Sequence, residues 1–429
     1  MSHNKEALVT AFALFSLFFG AGNLILPPLL GFQAGNHWWL VTLGFCLSAV
    51  LVPLLGILAH AKLQGTIFDF GKKVSPAFSL VYSILVYAIA IALPSPRTAA
   101  VTHELAVEPL LGSSALATSI CYFVLVFIFV MNRSRILDII GKILTPVIII
   151  ILLIVIGIAM GSHDFVFGDV LFKNAFSDGI LEGYQTFDAI GAVVVGGVII
   201  ISVNLKKKEA SYEEKKSLIL RAGWFAGFGL FLVYAGLILT GALMHGEFEV
   251  SISRTALLSG IGATTLGTSA NIFFSLLVSL ACFTTAVGIV AGTADFFKYL
   301  FGNSQMAFIL TAVLCCFLGI MVGQFNVAYI IAVALPALMF IYPITIILII
   351  LNVLPQQYAT IKTFRAVVIT TIIFSVPDFL GSIGWGDMIA PWQPFIPLSQ
   401  YSLGWVLPAI LIFMIMFVFQ GWASRDDKL

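Results

Sequence analysis

Twelve apolar stretches run through this 429-residue chain, at about 7–33, 37–60, 76–100, 115–131, 136–160, 178–203, 218–244, 269–300, 305–325, 327–351, 364–384 and 403–422. Each is about 17–30 residues, the length a helix needs to cross a bilayer. Membrane strands need only about 9–11 residues, so runs this long and this numerous exclude a barrel. The expected fold class is an all-α integral membrane protein, a single transmembrane domain. Only 10% of the residues are charged, against about 25% in a soluble domain, and so little polar surface could not cover a core in water.

The same scarcity of charge limits function. A net charge of +1 gives no polyanion-binding surface, so nucleic acid is excluded as a partner. The five cysteines all lie inside apolar runs and read as small buried hydrophobes, and the six histidines are scattered. No zinc-type spacing, nucleophile–base set or metal cluster appears, so an enzyme is not expected, nor any resident cofactor. The N-terminus mimics a secretion signal in outline, with Lys5, an apolar run and small residues at Gly20 to Gly22. The apolar run continues past that point, so it reads as the first span instead.

Basic residues orient the spans. Of the 21 Lys and Arg, all but Arg97, Lys173 and Arg254 fall on one side if the loops after even-numbered spans and both tails share that side. Positive charge marks the cytoplasmic face, so both termini are expected in the cytoplasm. Trp38, Trp39, Trp385, Trp392 and Trp405 then fall at outer ends and Trp224 and Trp422 at inner ends, as interfacial anchors do. The longest inner loop, Asn204 to Ser217, reads as solvated and topology-fixing. No protein partner is required by anything in the chain; the bilayer is the expected environment.

The first span interrupts itself. In "FFGAGNLILPP" the helix meets Gly20, Gly22 and Asn23 after Ala7 to Phe19, about 20 Å of helix at 1.5 Å per residue, which reaches the bilayer midplane. The second half resumes apolar and is expected to end near Pro27–Pro28. Irregular backbone at that depth survives only where it lines a cavity or is buried in protein. A break frees N–H groups at the start of the second half, which attract a carboxylate, and carbonyls at the end of the first, which attract a cation. Asn23 adds a hard oxygen ligand. The competing reading is that Gly-x-Gly allows close helix packing and nothing more.

Span 6 has a second interruption, "GYQTFDAIGAVVVGG", with Asp188 and Gly191 near its middle. A carboxylate at membrane depth costs a few kcal/mol unless it faces a cavity or a partner. Spans 1 and 6 would open two five-helix halves, about 7–160 and 178–351, followed by two further helices at about 364–422. Interrupted segments at matching positions of two inverted halves point to a transporter's binding site. Span 8 carries adjacent hydroxyls, Thr284 and Thr285, which either bond back to a carbonyl one turn earlier or face a sodium ion beside the first break. Gly288-x-x-x-Gly292 and Gly157-x-x-x-Gly161 read as close-packing faces. Arg97, in "LPSPRTAAV", is either an outer-gate cation paired with Asp188, Glu104 or Asp178, or an interfacial residue that snorkels to headgroups.

The segments "FFGAGNLILPPLLGFQAG", "PSPRTAAV", "NAFSDGILEGYQTFDAIGAVVVG" and "ACFTTAVG" resemble the bacterial branched-chain amino acid carriers of the BrnQ type, the LIVCS family, and the resemblance covers nearly the whole chain. It implies uptake of leucine, isoleucine and valine across the bacterial inner membrane, coupled to sodium, on the leucine-transporter (LeuT) fold with helices 1 and 6 discontinuous. Carried over residue by residue, it implies that backbone N–H groups of Ala21 and Gly22, beside Gly20, take the substrate carboxylate. Asn23 meets one sodium. Carbonyls of Ser16, Phe19 and Ala281 with the hydroxyls of Thr284 and Thr285 form a second sodium site. The substrate-facing stretch of helix 6 runs from Tyr184 through Phe187 and Asp188 to Gly191. Asp188 departs from the leucine-transporter pattern, which is neutral there, so the number and position of coupled ions stay open. Alternatives are a carrier of the same fold for another amino acid or a nucleobase, or coupling to protons in place of sodium.

Overall fold

The structure is a computed structural model that describes residues 3–132, 136–194, 196, 203 and 209–426. The expected inner-face residues Arg133, Arg135, Lys206, Lys207, Lys208 and Lys428 lie outside the described residues, as does Gly197. Among the described residues the chain is helical and contains no strand.

The first span is two helices, α1 (His3–Phe18) and α2 (Ala21–Ala34). α3 (Trp38–Cys46) runs through a wider turn at Leu47–Leu51 into α4 (Val52–Leu63). α5 (Pro76–Ala92) gives way at Leu93 to α6 (Pro94–Thr102), the boundary that two prolines impose. α7 (Ala115–Met131) and α8 (Ile136–Ser162) follow. α9 (Ala175–Tyr184) and α10 (188–194) are separated by Gln185, Thr186 and Phe187. The remainder comprises α11 (Tyr212–Leu243), α12 (Arg254–Leu266), α13 (Thr268–Leu300), α14 (Gln305–Gly323), α15 (Val327–Val353), α16 (Ile361–Ser382) and α17 (Val406–Asp426). Helix starts are marked by Ser75, Ser114, Ser211, Ser253, Ser304, Asn326 and Thr360, each accepting from the backbone N–H three residues on. Such caps satisfy donors that a helix leaves orphaned.

Eight stretches among the described residues are long and apolar enough to cross a membrane. Of the other four expected spans, span 4 is the shorter apolar helix Ala115–Met131 and span 12 begins the helix Val406–Asp426, apolar over Val406–Phe419. Span 1 breaks at Phe19–Gly20 and span 6 at 185–187, and most of span 6 past 194 lies outside the described residues.

α2 is the centre of the packing. It lies along α11, and α1 packs on the same helix, inside an apolar cluster that includes Phe15, Leu24, Phe45, Leu237 and Ile238. Backbone contact makes this possible: a Cβ on Gly31 of α2 would overlap the Ile238 carbonyl, and one on Gly241 of α11 would overlap the Pro28 carbonyl. The two helices therefore interlock glycine to carbonyl at two levels, an approach that only missing side chains permit. α2 does not end near Pro27–Pro28 as expected; it continues through them to Ala34. Flanking packing against α11 holds the helix where the prolines remove two of its own hydrogen bonds.

Four further expectations are corrected. Among the described residues a Cβ placed on Gly157, Gly161 or Gly288 would meet nothing within 4 Å, and one on Gly292 would reach only Val194 at 3.9 Å, so there neither G-x-x-x-G run is a close-packing face. Trp405 is 6% exposed and belongs to the apolar cluster around Tyr342 and Phe364, so it is no interfacial anchor, whereas Trp39, Trp224, Trp385 and Trp392 are exposed. Cys121 is exposed on α7; the other four cysteines are buried. The loop read as Asn204 to Ser217 is shorter, because α11 starts at Tyr212 with Ser211 and Glu214 capping each other.

The glycine contrast is testable. Gly31→Ala is expected to lower the thermal unfolding temperature of the purified protein sharply or to prevent its accumulation, since overpacking into a fixed backbone costs about 1–3 kcal/mol or more. Gly157→Ala, on an open face, should leave it unchanged or slightly raised. Equal tolerance of the two changes would mean that the interlock does not hold α2 against α11.

Candidate functional site

The break between α1 and α2 is built by its own residues. Gly20 is extended, and its N–H donates to Asn23 Oδ1 at 3.1 Å. Asn23 is the third residue of α2, so its side chain folds back to cap the helix start. The N–H groups of Ala21 and Gly22 belong to the first turn, where a helix has no acceptor of its own for them.

Asn23 also reaches across the molecule. Its Nδ2 donates to Asp188 Oδ2 at 2.7 Å and makes a short contact with the Tyr234 hydroxyl, which in turn donates to Asp188 Oδ2 at 3.1 Å. These three side chains come from α2, α10 and α11 and are 0–3% exposed. Two donors thus converge on one carboxylate oxygen. Without them a carboxylate at this depth would stand bare in a low dielectric.

The second break places that carboxylate. Phe187 adopts φ +65°, a left-handed conformation that costs a side-chain-bearing residue about 1–2 kcal/mol. Thr186 steadies the turn, donating from Oγ1 to the Gly183 carbonyl at 2.8 Å and accepting from Asp188 N at 3.2 Å. Tyr342, from α15, accepts from Ala189 N at 3.2 Å and so satisfies another donor of the α10 start. Asp188 therefore sits at the N-terminal end of a half-helix, where negative charge is favoured.

Arg97 does not snorkel. It is 3% exposed, its Nη1 donates to the Gln185 carbonyl at 2.7 Å, and its guanidinium lies 5.2 Å from the centre of the Phe187 ring. A Cβ on Gly22 would collide with Arg97 Nη2 and lie 3.0 Å from Cζ. The ion pairs among the described residues are His103–Glu108, His163–Glu247, Lys216–Glu213 and Arg254–Glu182, so Arg97 pairs with none of Asp188, Glu104 or Asp178. Glu104 instead accepts from Thr255 Oγ1 and Val327 N, and Asp178 from Asn174 N. A cavity of ≈ 570 Å³, lined by Ala100, His103, Glu104 and Asn326 among others, opens one turn beyond Arg97.

On the other side of the first break, Ser16, Phe19, Ala281 and Thr284 line one small cavity with Phe15, Thr145 and Ile148. Its volume of ≈ 10 Å³ is about the room one water or bare ion needs. Thr284 and Thr285 both donate to the Ala281 carbonyl, at 2.9 and 3.0 Å, which is the back-bonding geometry of threonine in membrane helices. A hydroxyl that donates in this way keeps its lone pairs, so the bond leaves both oxygens able to face a cation. Thr285 faces the break rather than the cavity: a Cβ on Gly20 would be 3.1 Å from its Oγ1. Neutral hydroxyl and carbonyl oxygens suit a hard monovalent ion better than a transition metal.

Of the residues singled out in the sequence, Gly20, Ala21, Gly22, Asn23, Phe187, Asp188 and Arg97 come together at the two breaks. Tyr184 lies one layer out, stacked on Tyr342 at 4.4 Å, and Gly191 faces Phe18. Asn23 lies with Asp188, apart from the cavity of Ser16 and Thr284. Tyr234, Tyr342 and Thr145 were missed, and Thr186 fell inside the Tyr184–Gly191 stretch with no role of its own; a polar atom inside an otherwise apolar span was the available signal.

Two interrupted helices meeting at a buried charged cluster define a membrane transporter. Among solved structures the chain is similar to Mhp1, described as a nucleobase-cation-symport-1 family transporter in a closed conformation with bromovinylhydantoin bound (TM-score 0.60, 14% identity, 98% of this chain and 93% of that one), and to MhsT in complex with L-phenylalanine (TM-score 0.58, 16% identity, 96% and 98%). This likeness establishes the leucine-transporter-type fold. A family profile described as "Branched-chain amino acid transport protein" matches residues 3–422, and the chain belongs to that family. It is 31% identical to the branched-chain amino acid transport system 2 carrier protein of Pseudomonas aeruginosa over 97% of both chains. It is 32% identical to the permease BraB of Bacillus subtilis over 95% of this chain and 94% of that one. These relatives are named as carriers and permeases, not enzymes, and the chain is a multi-pass membrane protein.

The Asn23–Tyr234–Asp188 cluster carries a stability expectation. Tyr234→Phe removes one donor to Asp188 and the partner of Asn23, and should cost about 1 kcal/mol or somewhat more, the scale of a buried hydrogen bond between membrane helices. Thermal unfolding of the purified protein measures it; an unchanged midpoint would mean that the cluster is not under constraint.

Proposed function

We propose that this chain imports leucine, isoleucine and valine into bacteria, coupled to sodium, by alternating access around the two helix breaks. Family membership supports the substrate class, since curated relatives across the full length are named for branched-chain amino acids. The observation that carries the reading is the meeting at the two breaks of free helix N–H groups at Ala21 and Gly22 with a buried carboxylate at Asp188. A zwitterion needs those two things at the bilayer midplane, an acceptor for its ammonium and donors for its carboxylate. The side chain of the substrate is apolar, and a hydrophobic pocket separates such side chains by only about 1–3 kcal/mol per methylene, so one carrier serves all three.

In this reading the sodium is a co-substrate. Carbonyls of Ser16, Phe19 and Ala281 with the hydroxyls of Thr284 and Thr285 hold one ion, and Asn23 stands beside a second near the substrate carboxylate. The chain resides in the cytoplasmic membrane with both termini inside, as two inverted five-helix repeats, 7–160 and 178–351, and two added helices. The rival reading, proton coupling, has one observation in its favour: Asp188 is a buried carboxylate without an ion-pair partner among the described residues. Labelled-leucine uptake into proteoliposomes under separate sodium, potassium and proton gradients decides between them. Sodium alone should drive uptake; uptake driven by a proton gradient without sodium would transfer coupling to Asp188.

Two variants sharpen the test. Thr284→Ala with Thr285→Ala should raise the sodium concentration for half-maximal uptake by about tenfold, the equivalent of 1.4 kcal/mol. An unchanged sodium dependence in well-inserted protein would return both hydroxyls to back-bonding alone. Asp188→Asn keeps the shape but not the charge and should weaken sodium-dependent leucine binding sharply; full sodium-driven uptake by this variant would remove Asp188 from coupling.

A further inference from the structure

Arg97 is buried charge whose hydrogen-bonding capacity is largely unspent. A guanidinium carries five N–H donors and keeps its charge at any physiological pH. Burying it without a partner is expensive. Here one donor is used, on the Gln185 carbonyl. Nε is buried with no partner, and no carboxylate among the described residues forms an ion pair with the group. The adjacent Phe187 ring offers a weaker attraction.

The helix ends around Arg97 do not neutralise it. Gln185 follows the C-terminus of α9, an end that attracts cations. Gly22 opens α2, an end that repels them, and the guanidinium lies directly against it. Partial charges of about half a unit and opposite sign cancel to first order, which leaves the full charge of the guanidinium. Asp188 favours the guanidinium charge from a distance but makes no ion pair with it, the donors it receives coming from Asn23 and Tyr234, so the hydrogen-bonding edge of the guanidinium is left without an acceptor. The missing component is an anion that accepts from a guanidinium fork and from first-turn N–H groups together. A carboxylate has that shape: two coplanar oxygens that match the fork.

We propose that Arg97 is the residue that recognises the substrate carboxylate. One carboxylate oxygen takes the free edge of the guanidinium and the other the N–H groups of Ala21 and Gly22, while Asp188 receives the ammonium. The absence of a side chain at Gly22 is what lets guanidinium and helix end converge on one anion. This rests on the reading of the chain as an amino acid carrier, and it gives Arg97 a ligand contact in place of a gating role. The consequence is a strict demand for a free α-carboxylate: site groups built to bind a polar substituent reject an analogue that lacks it by large factors.

Leucine and leucinol isolate the term, because leucinol keeps the ammonium and the isobutyl side chain but has no carboxylate. Binding of both to the purified full chain is measured by calorimetry in saturating sodium. Wild type should bind leucine at least about 100-fold more tightly than leucinol. Arg97→Gln should bring leucine down to the leucinol level and move leucinol by only a few-fold, so that the gap closes. Arg97→Lys, which keeps charge but not the fork, should leave an intermediate gap, and it carries the test if Arg97→Gln does not fold. A wild-type gap that survives in either variant, or an equal loss for both ligands, overturns the proposal and leaves Arg97 a structural residue. Failure of wild type to bind leucine at all overturns the carrier reading itself, a result visible before any variant is compared.

Discussion

Everything in this molecule is arranged around one constraint: backbone N–H and carbonyl groups in a membrane must find partners inside the protein. A continuous helix meets that demand alone. The first and sixth spans do not, and each break has to be completed by side chains from elsewhere. At the first, Asn23 turns back onto Gly20. At the second, Thr186 and Tyr342 take the first N–H groups of α10. The groups left over, Ala21 and Gly22 N–H and the carbonyls closing α1, are the ones that a substrate and an ion would satisfy in the proposed reading. The site is thus the remainder of an otherwise complete set of hydrogen bonds.

A remainder of this kind has to be held rigidly, or the chain would close on itself. Rigidity comes from the glycine–carbonyl interlock of α2 with α11, where Gly31 meets Ile238 and Gly241 meets Pro28. In lipid there is no hydrophobic drive to press helices together, so close backbone approach supplies much of the attraction. The same pair of helices brings Tyr234 up to Asn23 and Asp188. Packing and polar recognition here are two results of one contact.

The architecture was legible in the sequence because length and apolarity act on every residue of a span, and the described residues form apolar helices along the chain, eight of them long enough to cross a membrane. The first break was legible because glycine and asparagine disfavour a helix where they stand. The second was only half legible: the turn falls on Gln185 to Phe187, and the residue forced left-handed is a phenylalanine. Gly191, which drew attention, lies inside a helix. Tertiary context overrode local propensity there, through a threonine and a distant tyrosine that no local pattern announces. The G-x-x-x-G runs misled for a related reason. Spacing tells which residues share a face of a helix, not what that face meets, and Gly157 and Gly161 meet nothing among the described residues. Arg97 could not be placed because its depth depends on the bend at Leu93 and on Gly22, 75 positions away in sequence but against its guanidinium in space.

Two opposite charges buried near one another without pairing leave more interaction free energy for a ligand to gain than a closed ion pair would. Arg97 rides on α6, Asp188 on α10, and the free N–H groups on α2, while Thr284 and Thr285 stand on α13. A ligand touching all of these ties together segments that only two- and three-residue links join to their other halves, at Phe19–Gly20 and at 185–187. Binding can shift a conformational equilibrium only by the difference in contact it makes in each state. On the proposed binding mode a zwitterion spanning α6, α2 and α10 would make that difference large, because each charged end would be satisfied only when all three elements are brought to it at once. In the proposed reading an ion in the cavity between α1, α8 and α13 would add the same kind of tie to the other half of the first span. This ion would couple to the substrate without touching it, because both would act on the single link at Phe19–Gly20, from opposite ends.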